Sequence, residues 1–133
     1  MNLVSTRIIT GDVRRLVTFY ERVTGVKAQW GNDDFAEIVT PHGTLALASE
    51  RTVPLFSPDC ARPAANDSAI IEFLVDDVDR MHEELADAVT DWVNGPTTMP
   101  WGNRSLLFRD PDGNLVNFFK PVTEAAIARL AGR

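Results

Sequence analysis

The hydrophobic and polar positions in the first part of the chain predict one strand, one helix and three further strands. The opening residues favour a strand. Apolar residues then recur at helical spacing; Asp12 precedes them as a helix cap, and the helix is predicted to end near Gly25. The apolar residues of this helix are Val13, Leu16, Val17 and Tyr20, and the strands are predicted at residues 3–10, 26–30, 35–39 and 44–48.

The same order of elements returns after a polar loop at residues 51–67, which is rich in Pro, Asp, Asn and Ser. Asp77 is placed to cap a second helix, and a short C-terminal helix is predicted within residues 122–131. The second helix carries Val78, Met81, Leu85 and Val89 on one face, and strands are predicted at residues 70–75, 91–94, 105–109 and 115–119.

This return is an internal repeat, because paired signals recur at nearly constant offsets. Asp12-Val13 and Asp77-Val78 open the two helices 65 residues apart (77 minus 12). Pro41-x-Gly43 and Pro111-x-Gly113 close two hairpins 70 residues apart (111 minus 41). We therefore predict an α+β protein of two tandem βαβββ modules, whose mixed sheets form a cup around a cleft. The modules are predicted at residues 3–50 and 68–121 of one domain spanning 1–133.

The stretch FRDPDGNLVNFF at residues 108–119 gives the sharpest local prediction. Asp110 starts a turn in which Pro111 sets the backbone angle of the second position and Gly113 comes last. Apolar, strand-favouring residues flank the turn on both sides. A β-hairpin with a type I turn is therefore predicted here.

Composition and charge narrow the class of function. The chain has 133 residues, a formal net charge of −6 and a pI of about 4.8, which disfavours nucleic-acid binding. No segment approaches the ~20 consecutive apolar residues of a membrane span, so we expect a cytoplasmic protein without membrane contact. Cys60 is the single cysteine, which excludes an intrachain disulfide and a cysteine-based metal cluster.

Several motifs resemble the vicinal oxygen chelate superfamily, which includes glyoxalase I, extradiol dioxygenases and bleomycin-resistance proteins. The resemblance covers about residues 3–121 and agrees with the repeat. It implies the paired-module fold, and it leaves function open because function varies within such superfamilies. The motifs are Gly11-Asp12-Val13, Phe19-Tyr20 and Gly25, then Val75-Asp76-Asp77-Val78-Asp79, and finally Pro100-Trp101-Gly102-Asn103-Arg104 with FRDPDGNLVNFF.

In metal-dependent members of that superfamily, the ligands lie on the first and last strands of each module. The resemblance carries these positions over to Ser5, Ile70, Leu47 and Asn117. None is a histidine, cysteine or carboxylate, the usual ligands of zinc, iron or manganese. We therefore expect no metal and no cofactor. The two histidines do not change this expectation, since His42 lies in a turn and His82 on a helix face.

Strand alternation predicts which side chains face the cleft. If Ser5 and Ile70 face it, so do Arg7 and Glu72, at equivalent positions of the two modules. Burying these two charges unpaired is costly, so they are predicted to pair with each other or to orient a polar ligand. The alternative is that both are solvated at the rim of the cleft. Ile8, Ile71, Phe73 and Val75 are predicted to pack under the helices.

The same alternation predicts a mostly apolar pocket with a few polar groups, as in small-molecule sites. Three tryptophans lie on or beside the predicted cleft walls, where aromatic faces bind flat or cationic ligands. Trp101 is favoured, because Pro100 and Gly102 place it in a loop. The predicted cleft residues are Leu115, Asn117 and Phe119, with Leu45, Leu47 and Ser49 opposite, then Arg104, Leu106 and Phe108, and the tryptophans Trp30, Trp92 and Trp101.

Two classes of function remain open. The first is a metal-independent binding protein that sequesters a flat aromatic, antibiotic-like compound; resemblance to the bleomycin-resistance group implies a homodimer. The second is an enzyme, either a lyase or isomerase that uses Glu72 for acid–base catalysis or a dioxygenase with an atypical metal site. A ligand sensor or partner subunit leaves no mark in the sequence.

Overall fold

The computed structural model describes residues 1–133 as an α+β fold of two βαβββ modules, which confirms the predicted fold class. The first module consists of β1 (Ser5–Thr10), α1 (Val13–Thr24), β2 (Gln29–Asn32), β3 (Phe35–Thr40) and β4 (Gly43–Ser49). The second consists of β5 (Ile70–Leu74), α2 (Val78–Glu84), β6 (Trp92–Thr98), β7 (Asn103–Arg109) and β8 (Leu115–Pro121). A 3₁₀ helix (Glu50–Leu55) follows β4, and α3 (Glu124–Ala131) follows β8.

Each module forms a four-stranded mixed sheet. The strand order is β1-β4-β3-β2 in the first sheet and β5-β8-β7-β6 in the second. The first strand of each module pairs in parallel with the last, and the other neighbours are antiparallel. The two sheets therefore repeat one topology, as the sequence offsets predict.

Residue contacts divide the chain into two compact units, which are described separately below. Unit 1 contains residues 1–66 together with the turn residues 111–113. Unit 2 contains residues 67–110 and 114–133. No helix in either unit is long and apolar enough to cross a membrane.

The core of unit 1 lies between α1 and its sheet. Asp12 caps α1 by accepting a hydrogen bond from the Arg15 amide at 3.0 Å, and Gly25 ends the helix with a φ of 70°. The predicted start and end of α1 are thus confirmed. The apolar stripe of the helix is buried against β3 and β4, as its spacing predicts. Its fully covered residues are Leu16, Val17, Tyr20 and Val23, with Ala36, Ile38 and Leu47 from the sheet.

The second helix is shorter than the sequence pattern predicts. Asp77 caps α2 as expected, accepting from the Arg80 amide at 3.0 Å, but the helix ends at Glu84. Leu85 and Val89, predicted on the helix face, lie beyond the end of α2 and are still buried. An apolar period alone therefore overestimates helix length, because turns can also bury side chains at that spacing.

Several strand boundaries also differ from the prediction, among them β2, which begins at Gln29 rather than at residue 26. The loop at 51–67 begins inside the 3₁₀ helix, which Ser49 caps by accepting from the Arg51 amide at 3.1 Å. β6 extends to Thr98, with register irregularities along its pairing with β7, and β7 begins at Asn103. Bulges break the alternation of side chains, which hides such strands from pattern analysis.

Candidate ligand-binding site

Unit 2 contains a pocket of about 310 Å³ on the face of its sheet opposite α2. Alternation along β8 creates this face. Val116 and Phe118 are buried on the α2 side, while Phe119 points to the pocket. The pocket is lined by Glu72 of β5, Trp101 in the turn before β7, Asn103 at the start of β7, Phe119 of β8, Ala126, Arg129 and Leu130 of α3, and Arg133.

The wall formed by α3 is held in place by Gly102. This glycine has a φ of 93°, and its carbonyl accepts a hydrogen bond from the Val122 amide at 2.9 Å. A Cβ on Gly102 would collide with the Thr123 hydroxyl and lie 3.0 Å from the Ala126 Cβ, so α3 approaches as closely as a glycine allows. Arg129 adds a second link, since its Nη2 donates to the Trp101 carbonyl at 3.0 Å.

Glu72 and Asn117 form the polar part of the sheet surface at the pocket. They are paired positions of β5 and β8, and Asn117 Nδ2 donates to Glu72 Oε2 at 2.8 Å. Asn117 Oδ1 is buried without a hydrogen-bond partner. The opposite orientation of the amide would place two oxygens together, so the carboxylate determines how Asn117 is oriented. Asn117 in turn fixes the carboxylate at the pocket.

Trp101 and Phe119 give the pocket its aromatic surface. Trp101 is 59% exposed, an unusually large apolar area for solvent to cover, and Phe119 is partly buried. Glu72 and Arg129 place opposite charges on the same pocket, one from the sheet and one from α3. The pocket thus combines two aromatic rings with four polar or charged side chains among its eight lining residues, and it is more polar than the mostly apolar pocket that the sequence predicts.

Four of the predicted site residues therefore lie together in unit 2. Glu72, Trp101 and Phe119 line the pocket, and Asn117 holds Glu72. Five lining residues were not predicted, namely Asn103, Ala126, Arg129, Leu130 and Arg133. The sequence predicts α3 but not the surface on which it packs. The one sequence signal is Gly102, since a glycine at the edge of a strand suggests a close approach of another part of the backbone.

Ser5 and Arg7 lie in unit 1, on the face of its sheet opposite α1. Both are exposed. The guanidinium carbon of Arg7 lies 4.8 Å from the ring centroid of Phe35 and 5.4 Å from that of Phe56, so two aromatic rings orient this cation. Glu72, in contrast, has an amide as its neighbour.

The predicted face of Leu47 is wrong. Leu47 pairs with Ile8 and is fully buried on the α1 side, whereas Ala46 pairs with Arg7. Leu45 and Ser49 share the face of Leu47 and are misplaced with it. The reason is the length of the hairpin turns. Two residues separate the paired Thr40 and Gly43, whereas three separate the bonded Asp110 and Asn114, so residues at the same distance after the two turn glycines face opposite sides of their sheets.

The predicted face of Arg104, Leu106 and Phe108 is also wrong. Leu107 is the residue of β7 opposite Asn117, so Arg104 and its alternate neighbours point to the α2 side. There Arg104 binds both carboxylate oxygens of Asp79 on α2, through Nε and Nη2 at 2.7 Å each. These hydrogen bonds hold the pKa of Asp79 below its usual value. Arg104 therefore joins β7 to α2 and is not part of the pocket.

Two of the three tryptophans lie on the helix sides of their sheets, contrary to the prediction. Trp30 pairs with the buried Ala36, and Arg14 of α1 lies 5.5 Å from its ring. Trp92 packs edge-on against His82 of α2, with ring centroids 4.7 Å apart, and against Phe108 at 5.6 Å. Trp101, the favoured candidate, is the tryptophan that lines the pocket.

The residues at the metal-ligand positions do not fit a metal ion. Ser5, Ile70 and Asn117 offer a hydroxyl and an amide, and neither Leu47 nor Ala46 offers a donor atom. The Asn117 amide also directs its N–H group, which cannot bind a cation, to Glu72. No three His, Cys, Asp or Glu side chains of the chain are grouped to hold a metal. The absence of a cofactor stays a prediction.

Comparison with known proteins supports the fold and defines the family. The profile of the Glyoxalase/Bleomycin resistance protein/Dioxygenase superfamily matches residues 2–118. The uncharacterized protein YraH of Bacillus subtilis (strain 168) is 25% identical over 126 residues, which cover 90% of this chain and 98% of YraH.

Solved structures share the fold at low sequence identity. A glyoxalase/bleomycin resistance protein/dioxygenase family enzyme from Burkholderia phytofirmans PsJN matches 92% of this chain and 100% of its own length, with a TM-score of 0.80 and 16% identity. A glyoxalase/bleomycin resistance protein/dioxygenase from Nocardioides matches 93% of this chain and 85% of its own, with a TM-score of 0.76 and 19% identity. With the family profile spanning most of its length, the chain belongs to the glyoxalase/bleomycin resistance protein/dioxygenase superfamily.

Proposed function

We propose that this protein is a metal-independent binding protein that holds a small flat aromatic compound in the pocket of unit 2. It would resemble the bleomycin-resistance members of its superfamily in binding a compound without chemical change. The observation that carries this proposal is the pocket itself, in which Trp101 and Phe119 stand beside the Glu72 carboxylate. Its volume of about 310 Å³ suits a ligand at the small end of the usual range.

The exposed ring of Trp101 is the main source of affinity in this proposal. A flat ligand that covers the ring removes apolar surface from water, which stabilises the complex by roughly 25 cal/mol per Å². Favourable ring geometry adds about 1 kcal/mol per aromatic contact. The loop that carries the ring needs little reorganisation, because the Trp101 carbonyl is bonded to Arg129 and the Gly102 amide and carbonyl are both bonded.

A screen of small flat aromatic compounds by ligand-observed NMR, followed by calorimetric titration of the hits, tests this proposal. Replacing Trp101 with Ala should weaken binding about fivefold or more, as expected for the loss of one aromatic contact. Trp30→Ala is the matched control, because Trp30 is also exposed but contacts Arg14 in unit 1. Equal weakening by both substitutions, or no binding by any aromatic compound, would contradict the proposal.

Metal independence is tested in the same titrations. The affinity of the hits should be the same in buffer with excess EDTA as in buffer with added zinc or manganese. If binding requires one of these ions, metal independence is wrong, and the protein resembles the metal-dependent members of the superfamily instead.

A lyase or isomerase is the second candidate, because one observation favours it. Glu72 is the carboxylate that lines the pocket, and the amide of Asn117 orients it. A carboxylate held beside a bound carbonyl compound is able to remove a proton next to the carbonyl group. Turnover that disappears in Glu72→Gln while ligand binding persists would support catalysis, and turnover that survives would exclude this mechanism.

A further inference from the structure

The pocket offers two charges that have only neutral partners. Glu72 accepts a hydrogen bond from the Asn117 amide, and Arg129 donates to the Trp101 carbonyl. Both side chains line the pocket, one from β5 and the other from α3. An exposed carboxylate and an exposed guanidinium each keep donor or acceptor capacity after one such bond.

The carboxylate is positioned at a cost to its neighbour. Asn117 directs its N–H group to Glu72 and leaves Oδ1 buried without a partner, which is unfavourable for a polar atom. An arrangement that tolerates this cost fixes the Glu72 carboxylate in one orientation. Asn117 is thus a positioning residue, and Glu72 is the group that meets the ligand.

A protonated amine is the ligand group that matches this carboxylate, since it brings a positive charge and up to three N–H donors. The guanidinium of Arg129 matches a carboxylate in the same way. Glu72 lies on the sheet and Arg129 on the helix that packs over it, so the two groups approach a ligand from different walls. Arg133 adds a second guanidinium to the lining, which disfavours a ligand with positive charge alone.

We propose that the ligand of this pocket is an aromatic zwitterion, whose protonated amine binds Glu72 and whose acid group binds Arg129. This inference rests on the proposed function and specifies the class of compound bound. The aromatic ring then lies against Trp101 and Phe119, between its two charged substituents.

A matched series of benzene derivatives tests the inference by calorimetry. The probes are 4-(aminomethyl)benzoate with both charges, benzylamine with the positive charge, 4-methylbenzoate with the negative charge, and benzyl alcohol with neither. The zwitterion should bind at least about tenfold more tightly than either singly charged probe, as expected for one added charge-assisted hydrogen bond. 3-(Aminomethyl)benzoate is included as well, because its two charged groups are closer together and would suit a shorter distance between Glu72 and Arg129.

Two substitutions assign the charges to their partners. Glu72→Gln should reduce zwitterion affinity to about the affinity of the wild type for 4-methylbenzoate. Arg129→Gln should reduce it to about the affinity of the wild type for benzylamine. Both residues are exposed, so both variants should fold, which thermal unfolding verifies.

The outcomes separate this inference from the function on which it rests. Three outcomes would contradict the zwitterion proposal and leave the proposal of aromatic binding intact. They are equal binding of all probes, zwitterion binding that neither substitution weakens, and a screen whose hits all lack one of the two charges. If neither these probes nor any compound of the aromatic screen binds, both proposals fall.

Discussion

Asp110 and Asn114 are buried polar residues of the turn between β7 and β8. The Asp110 carboxylate accepts hydrogen bonds from the Asn114 amide at 2.9 Å and from its side-chain Nδ2 at 2.7 Å. The Asp110 amide donates to the Asn114 carbonyl at 3.0 Å, which closes the turn from both sides. Both side chains are less than 5% exposed, so water cannot replace these bonds.

Asp110→Ala should therefore destabilise the protein by about 2–3 kcal/mol, because it leaves buried donors of Asn114 without acceptors. Urea unfolding followed by circular dichroism measures the change. Asp33→Ala is the control, since Asp33 is an exposed carboxylate of unit 1 and its loss should have little effect. A difference between the two variants below about 0.5 kcal/mol would contradict the role of Asp110 in the turn.

Asp79 gives a prediction for pH dependence. Hydrogen bonds from Arg104 lower the pKa of Asp79 below 3.8, its value without a partner. A carboxyl group whose pKa is lower in the folded state contributes stability above its unfolded pKa, and this stability is lost as pH falls through the folded value. The stability difference between the wild type and Asp79→Asn should therefore shrink as the pH falls below about 4.

An NMR titration of the Asp79 carboxyl carbon measures this pKa directly. In Arg104→Gln the pKa should rise toward its usual value, whereas in Arg80→Gln it should not, because Arg80 pairs with Glu84 at 2.7 Å. An unchanged pKa in Arg104→Gln would show that the ion pair does not form in solution.

At the scale of elements, α3 depends on a glycine outside the helix. Gly102→Ala forces a φ of 93° on a residue with a side chain and pushes its Cβ into Thr123, the cap of α3. We expect a loss of stability greater than about 1 kcal/mol and faster amide exchange in α3. Gly95→Ala is the matched control, because a Cβ there meets no atom within 4 Å. Equal effects of the two substitutions would show that the packing of α3 does not require a glycine at position 102.

The sequence predicts the elements well where capping residues and apolar periods agree. Asp12, Gly25 and Asp77 mark helix ends that the structure reproduces. Which side chains of a strand point to the helix side depends on the register of the strand. The predicted faces are correct for β1, β5 and β8 and wrong for β4 and β7. The register depends on turn length, which the shared Pro-x-Gly motif does not reveal.

The pocket was predictable only in part for a related reason. Its sheet residues, such as Glu72 and Phe119, follow from alternation along strands. Its helix residues, such as Arg129, depend on where α3 packs, and an amphipathic pattern indicates that a helix packs without indicating the surface. Trp30 and Trp92 lie on or beside predicted wall strands and have suitable chemistry, but both pack on the helix sides of their sheets, because aromatic residues also serve as core residues.

At the scale of the whole molecule, the metal content of the purified protein distinguishes a metal-independent binding protein from the metal-dependent members of the superfamily. Protein purified without chelators or a histidine tag should contain well under one equivalent of zinc, iron, manganese or nickel, because the donor set at the expected ligand positions is poor. Elemental mass spectrometry measures this content. About one equivalent of any of these metals per chain would contradict the assignment of ligand positions.

We also predict a homodimer, as the resemblance to the bleomycin-resistance group implies. Two large apolar side chains of β5, Ile70 and Leu74, are 49% and 59% exposed on the face that carries Glu72. Exposed apolar residues of this size are typical of contact surfaces. Light scattering at micromolar concentration should give twice the chain mass of 14.7 kDa. A mass of one chain would contradict the prediction, and Leu74→Asp should shift a dimer toward it.

The two halves of the protein share a topology but are not interchangeable, because three residues separate the bonded Asp110 and Asn114 in the second hairpin, whereas two separate Thr40 and Gly43 in the first. A chimera that joins strands of different halves keeps its core only if each turn is transferred with both of its strands. Shortening the second turn by one residue would bring Asn117 and Phe119 toward α2 and turn Val116 and Phe118 outward. One residue of turn length therefore decides which surface of β8 becomes a binding site and which becomes core.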